Sequence, residues 1–180
     1  FFECGYSPER VNPGDKNKTI DKITKVVSGS SNQTIKKMYY LYKFVTKAGV
    51  FKSKSIKIAE AAKIIENVQR DINIALINEF LLLFKKVNLN IRDILDVALS
   101  KWNFLDFKPG LVGGHCIGID PYYLTHMAKQ NGYKPKLLLA GRKINDSLVK
   151  FVYKDITRLI HQKNQPKKKL KILIFGFAFK

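Results

Sequence analysis

The chain is short of cysteine, of arginine and of acidic residues, and each shortage closes off a class of protein. Two cysteines, Cys4 and Cys116, cannot staple a disulfide scaffold, and they form no C-x-x-C pair. His115, His126 and His161 do not repeat at metal-ligand spacing with either thiol, which argues against a zinc site. No uninterrupted apolar run approaches the roughly 18 residues that a membrane span needs. The start has no signal-peptide pattern, so a cytoplasmic location with no membrane partner is the expectation. The 14 acidic residues stand against 33 basic ones, for a formal charge of +19. That balance suits an anionic partner. Only Arg10, Arg70, Arg92, Arg142 and Arg158 are arginines, however, and nucleic-acid sites draw on Arg for bidentate contacts. The lysine excess reads better as a solvated surface, and no nucleic-acid partner is expected.

What is present is enough for a folded core. Of 180 residues, 46% are hydrophobic and the mean hydropathy is -0.15, outside the range of disordered chains. Residues 7–15 are turn-rich and read as a loop. Around Val26 and Val27 lies a short strand closed by Gly29. Ser31 or Asn32 then caps a helix through Lys36, Tyr40 and Val45. From Ile56 to about Val87 the residues Ile58, Ala62, Ile65, Ile72, Ala75, Leu76, Phe80 and Leu83 recur at three- and four-residue steps with no Pro or Gly between them. That spacing predicts one amphipathic helix of about 30 residues, roughly 45 Å long. A further helix is predicted from Ile91 to Ser100 with Asn90 as cap. A glycine-rich loop over 107–120 follows, then a helix from Pro121 and a long helix over 140–161. A strand over 170–175 closes the sequence. The start at Phe1 rather than Met, and a last strand without a partner, lead us to expect a chain cut at both ends.

Three segments carry chemistry. In Gly113-Gly114-His115-Cys116-Ile117-Gly118-Ile119-Asp120-Pro121, glycines let the backbone approach a ligand closely. The positive end of the helix beginning near Pro121 favours a thiolate at Cys116. Asp120 is placed to accept a proton or orient a water. A buried structural cysteine in a tight turn is the equal alternative, and His115 is read as a packing residue rather than a base. Lys63 and Asn67, four apart on the long helix, share a face that continues through Arg70, Ile74 and Asn78. Together they are suited to steadying an oxyanion, although spacing alone favours a solvated polar stripe. Finally, the backbone amides and Arg10 of the 7–14 loop are suited to holding phosphate or sugar.

In this order the three segments resemble the UDP-glucose/GDP-mannose dehydrogenase family, most of all its bacterial branch acting on UDP-N-acetylglucosamine and UDP-N-acetylgalactosamine. The resemblance rests on Tyr6-Ser7-Pro8-Glu9-Arg10-Val11-Asn12-Pro13-Gly14, on Glu66-Asn67-Val68-Gln69-Arg70-Asp71 and on Lys101-Trp102-Asn103-Phe104-Leu105. Phe107-Lys108-Pro109-Gly110-Leu111-Val112-Gly113-Gly114-His115-Cys116-Ile117-Gly118 and Ala140-Gly141-Arg142-Lys143-Ile144-Asn145-Asp146 extend it over essentially the whole chain. It implies an α/β fragment, mainly a helical central dimerisation domain with a long helix, flanked by parts of two Rossmann-like domains. Residues 1–52 would end the NAD-binding domain, 53–162 would form the helical middle, and 163–180 would open the UDP-binding domain.

The resemblance also implies a homodimer through the long helix, a UDP-sugar substrate and NAD as cofactor. The reaction it implies is two successive oxidations of a sugar C6 alcohol to a uronate, for surface-polysaccharide synthesis. Cys116 matches the nucleophile that forms a thiohemiacetal and then a thioester. Lys63 and Asn67 match the pair that steadies the oxyanion, Asp120 a carboxylate handling water and protons, and Glu9 a glutamate of thioester hydrolysis. Arg10, Val11, Asn12, Phe107, Gly110 and Gly113 match substrate-cradling loops, and Lys180 a lysine at the mouth of the UDP domain. Leu99 stands where the branch usually has Gly. No G-x-G-x-x-G occurs, so NAD would be bound mainly by residues this sequence does not contain.

Two other readings compete. One is a non-catalytic helical dimerisation module. The other is a basic nucleic-acid binder, which no recognised binding motif supports. On the family reading, the isolated 180-residue chain is expected not to oxidise a UDP-N-acetylhexosamine. NADH production by the purified chain would overturn that expectation.

Overall fold

The computed structural model describes residues 2–11, 14–114, 116–162 and 171–173. Asn12, His115, Lys180 and half of the strand predicted over 170–175 lie outside them, and 171–173 carry no regular structure. The chain divides into two compact units, Phe1–Glu66 and Asn67–Lys180.

The first unit is built on a three-stranded sheet. Strand β2, Lys25–Gly29, lies between β1, Gly5–Tyr6, which is antiparallel to it, and β3, Val50–Lys52, which is parallel. Helix α1, Asn32–Val45, makes the crossover from β2 to β3 and packs on β2. Its start is set by Ser31, whose Oγ accepts the Thr34 N–H at 3.1 Å and so satisfies one of the helix's unpaired donors. Val27 at the sheet centre is fully buried, as is expected for a strand paired on both edges. The two short strands β1 and β3 escaped the sequence reading, because runs of two and three residues show no periodicity. One 3-10 turn, Ile20–Lys22, completes the unit's regular structure among the described residues.

Helix α2, Ile56–Lys86, is the predicted long helix, and 20 of its residues belong to the second unit. There it is joined by α3, Ile91–Leu99, α4, Asp120–Gln130, and α5, Lys136–Gln162. Asn90 caps α3 by accepting the Arg92 N–H at 3.0 Å. Pro121 sits in the first turn of α4, where a missing N–H costs nothing. Helix α5 starts four residues before the expected 140, because the Pro135 carbonyl accepts the Leu139 N–H and opens the helix there. Ile77, Ile91 and Leu95 form a small apolar cluster, with Phe80, Leu81, Phe84 and Phe107 packed against it.

Helices α2 and α5 approach closely at Gly141, where a Cβ would collide with Ile72 Cδ1. Beside that point lies a buried ion pair. Arg142 Nη1 donates to Asp71 Oδ1 at 2.7 Å, with Asp71 wholly inaccessible to water. The Arg142 Nη2 reaches Asp146 one turn further on, and the Tyr122 hydroxyl from α4 donates to the same carboxylate at 3.0 Å. Arg142→Leu would leave Asp71 buried without its cation, and should lower stability by about 3–5 kcal/mol in denaturant unfolding. A loss below about 1 kcal/mol would mean the pair does not hold α5 to α2.

Candidate active site

The first unit holds Glu9, Arg10, Val11 and Lys63. The loop that carries the first three is fixed from behind by Lys25, a buried lysine whose Nζ donates to the Pro8 carbonyl at 3.0 Å. Glu9 turns back on its own backbone, with Oε1 accepting the N–H groups of Arg10 at 2.8 Å and Val11 at 2.6 Å. Its carboxyl is held below the usual range. The Val11 N–H is the largest cause and partial desolvation opposes it; Lys25, the Arg10 N–H and Lys63 add to the lowering. Arg10 is an anchor in this geometry. Its Nη2 pairs with Glu66 Oε1 at 2.8 Å and its Nη1 donates to the Thr24 carbonyl at 3.2 Å. Lys63 is half-buried on α2.

The second unit holds Asn67, Phe107, Gly110, Gly113, Cys116 and Asp120. Cys116 is a free, half-buried thiol at the start of the turn into α4. Its carbonyl accepts the N–H groups of Ile119 at 3.1 Å and Asp120 at 2.9 Å. The Asp120 carboxylate in turn accepts a hydrogen bond from Asn67 Nδ2 at 2.5 Å. Asn67 on α2 is therefore tied to the segment that opens with Cys116. At the other end of the loop, Phe107 packs on the apolar cluster, and Gly110 is gripped by the Asn78 side chain. Gly113 is exposed, and Gly114 after it takes a φ of 84°, which an L side chain rarely adopts.

The solvated stripe that spacing favoured for Lys63, Asn67, Arg70, Ile74 and Asn78 is not what forms. Arg70 is exposed, but Asn67 and Asn78 are buried. Asn145, which accepts from Asn78, and Asp71, which accepts from Asn145, were not among the expected site residues. The signal lay in Asn67, Asp71 and Asn78 standing at four- and seven-residue steps, on one helix face. Among the described residues no three His, Cys, Asp or Glu side chains are grouped to hold a metal ion, and no helix is long and apolar enough to cross a membrane.

Residues 57–147 match the model of the UDP-glucose/GDP-mannose dehydrogenase family, central domain. The chain belongs to this family. It is 49% identical over 179 residues to Protein CapL of Staphylococcus aureus, a match that takes in 99% of this chain and 42% of that protein. The UDP-N-acetyl-D-glucosamine 6-dehydrogenase of Salmonella typhi is matched at 49% identity over the same shares. Among solved structures, the UDP-D-ManNAc dehydrogenase of Pyrococcus horikoshii superimposes with a TM-score of 0.81 at 31% identity, over 91% of this chain and 38% of that one. The native UDP-N-acetyl-mannosamine dehydrogenase Cap5O of Staphylococcus aureus gives 0.77 at 28% identity, over 97% and 39%. The chain thus spans about 42% of the length of these curated relatives.

The described residues do not fit the NAD that the family implies. In a dinucleotide fold the pyrophosphate rests on a glycine-rich first strand-to-helix turn, and no G-x-G-x-x-G occurs here. The turn between β2 and α1 does not replace it: the Thr34 N–H is already capped by Ser31, and Thr34 Cβ lies 2.8 Å from where a Cβ on Gly29 would stand.

The lowered Glu9 carboxyl gives a pH prediction. A depressed folded-state value contributes stability above the unfolded value, and that contribution is lost as pH falls through the folded one. Carboxyl NMR should therefore place the Glu9 midpoint below about 4.3, the ordinary glutamate value. The stability difference between wild type and Glu9→Gln should be largest at neutral pH and vanish in acid. A midpoint at or above the ordinary value would contradict the backbone clamp.

Proposed function

We propose that this chain supplies the thiol-bearing centre of a nucleotide-sugar 6-dehydrogenase that converts the C6 alcohol of a UDP-N-acetylhexosamine to a uronate in surface-polysaccharide synthesis, in a cytoplasmic setting. The observation that carries the reading is the tie from Asn67 to Asp120, one turn after Cys116. It couples a buried helix amide to the turn that presents a thiol, which a structural cysteine does not need.

On this reading the C6 aldehyde is the branch point. Cys116 sulfur adds to the carbonyl carbon, and the oxygen takes a proton to give a thiohemiacetal. Loss of hydride from that carbon and of the hydroxyl proton leaves a thioester. NAD, which the family reading implies, would supply the oxidising chemistry by taking that hydride, and no described residue is assigned to hold it. Lys63 and Asn67 stabilise the oxyanion of each tetrahedral stage. Asp120 handles the proton of the water that releases the uronate, and Glu9 assists hydrolysis as an ionised carboxylate. Arg10, Val11 and Asn12, with Phe107, Gly110 and Gly113, shape the sugar site, and Lys180 belongs to the UDP end. The domain limits at 52 and 162 are part of the same reading.

A homodimer through α2 completes it. Ile58, Ile65, Leu76 and Leu83 are all about half-exposed. Their spacings of seven, eleven and seven residues align them within about 20° along one helix line. An apolar stripe of that length suits a second copy of the helix. The same stripe favours the competing reading, a dimerisation module without catalysis, and Cys116 separates the two. In the protein that carries these 180 residues, Cys116→Ser should lower uronate formation by about a thousandfold or more while leaving the dimer intact. Wild-type turnover by Cys116→Ser would sink the thioester mechanism.

A further inference from the structure

The hydrogen-bond chain behind the glycine loop has a fixed direction. Asp71 can only accept here, through its carboxylate and its backbone carbonyl, so Asn145 must turn its NH2 toward them, at 2.7 and 3.0 Å. That leaves Asn145 Oδ1 facing Asn78, whose Nδ2 donates to it at 2.9 Å. With its nitrogen so fixed, Asn78 also donates to the Gly110 carbonyl at 2.9 Å, and its Oδ1 accepts the Gly110 N–H at 2.8 Å. Both amide hydrogens of both asparagines are used. Asn78 is wholly buried and Asn145 nearly so, at 0% and 3% exposure, so water does not compete for these bonds.

Gly110 is consequently held by both of its backbone groups at once, as one strand holds another. The far end of the same loop is tied through Asp120 to Asn67. Asn67 and Asn78 are eleven residues apart on α2, about three turns, and so lie on one face. One helix face thus grips the 107–120 segment at two points.

The geometry points to Asn78, oriented through Asn145 and Asp71, as a positioning residue that fixes the Gly110 backbone for nucleotide-sugar binding. The inference rests on the proposed function and gives the glycine loop its support. Asn78 acts through Gly110, so its loss should be read in substrate binding before the chemical step. Polarity, not volume, is what matters. Asn78→Asp keeps the shape but sets a carboxylate against the Gly110 carbonyl and Asn145 Oδ1, both of which are acceptors.

The test uses the protein that carries this chain, with UDP-N-acetylglucosamine as substrate, and pairs kinetics with hydrogen exchange. In wild type the Gly110 amide should exchange at least about a hundredfold more slowly than in an unfolded chain. Asn78→Asp should abolish that protection, raise KM about tenfold and change kcat by less than about threefold. Should that variant not fold, Asn78→Ala removes the clamp without burying a charge, and the same split is expected. An unprotected Gly110 amide in wild type overturns the proposal. So does a folded variant with wild-type KM, or a fall in kcat that only tracks the folded fraction. If Cys116→Ser is inactive while the Asn78 variants keep wild-type KM, the mechanism stands and this inference fails. If Cys116→Ser is active, the mechanism fails and this inference with it, even where Gly110 remains protected.

Discussion

A carboxylate without access to water costs several kcal/mol unless a cation and hydrogen-bond donors meet it, and Asp71 is met by Arg142 and Asn145 together. This requirement fixes which residues of α5 face α2. Gly141 allows the helices to come close enough, Arg142 brings the charge, and Asn145, one turn later, brings the amide. From Asn145 the same demand for matched donors and acceptors passes to Asn78 and then to Gly110. The second unit therefore has a buried polar seam running from Arg142 to Gly110, in which Asp71 Oδ2 and Arg142 Nε have no hydrogen-bond partner among the described residues.

Helix α2 buries polar residues together with Ala59, Val68, Ala75 and Ile77, and leaves large apolar ones outside. Asn67, Asp71 and Asn78 are buried, whereas Ile58, Ile65, Leu76 and Leu83 face outward. At about 100° per residue, the two sets lie on opposite sides of the helix. Part of the apolar periodicity that reveals α2 in the sequence thus belongs to a surface of the chain.

Long elements were legible because their signals repeat. Of the five helices among the described residues, the starts of four were placed to within a residue, and Ser31 and Asn90 cap where their side-chain chemistry predicts. The strands β1 and β3 were not legible, because their pairing is decided by contacts distant in sequence: Gly5 with Gly29, and Val50 with Lys25. In the candidate site, residue types pointed to Cys116, Asp120 and the asparagine-bearing face. What the sequence could not convey was the set of partners. Arg10 is occupied by Glu66, Glu9 by its own backbone, and Asn78 by Gly110, and each pairing depends on folding.

The bond from Asn67 to Asp120 also bears on what kind of side chain can stand at that position. A carboxamide nitrogen carries two hydrogens, so one can hold the acid while the other meets a negative charge developing elsewhere. A serine or threonine has one hydrogen to give and would have to choose between the two tasks. An aspartate has none, and would set its own charge against that of Asp120. On the proposed function, keeping the scaffold anchored while leaving a donor in hand favours an amide over the other short side chains at 67.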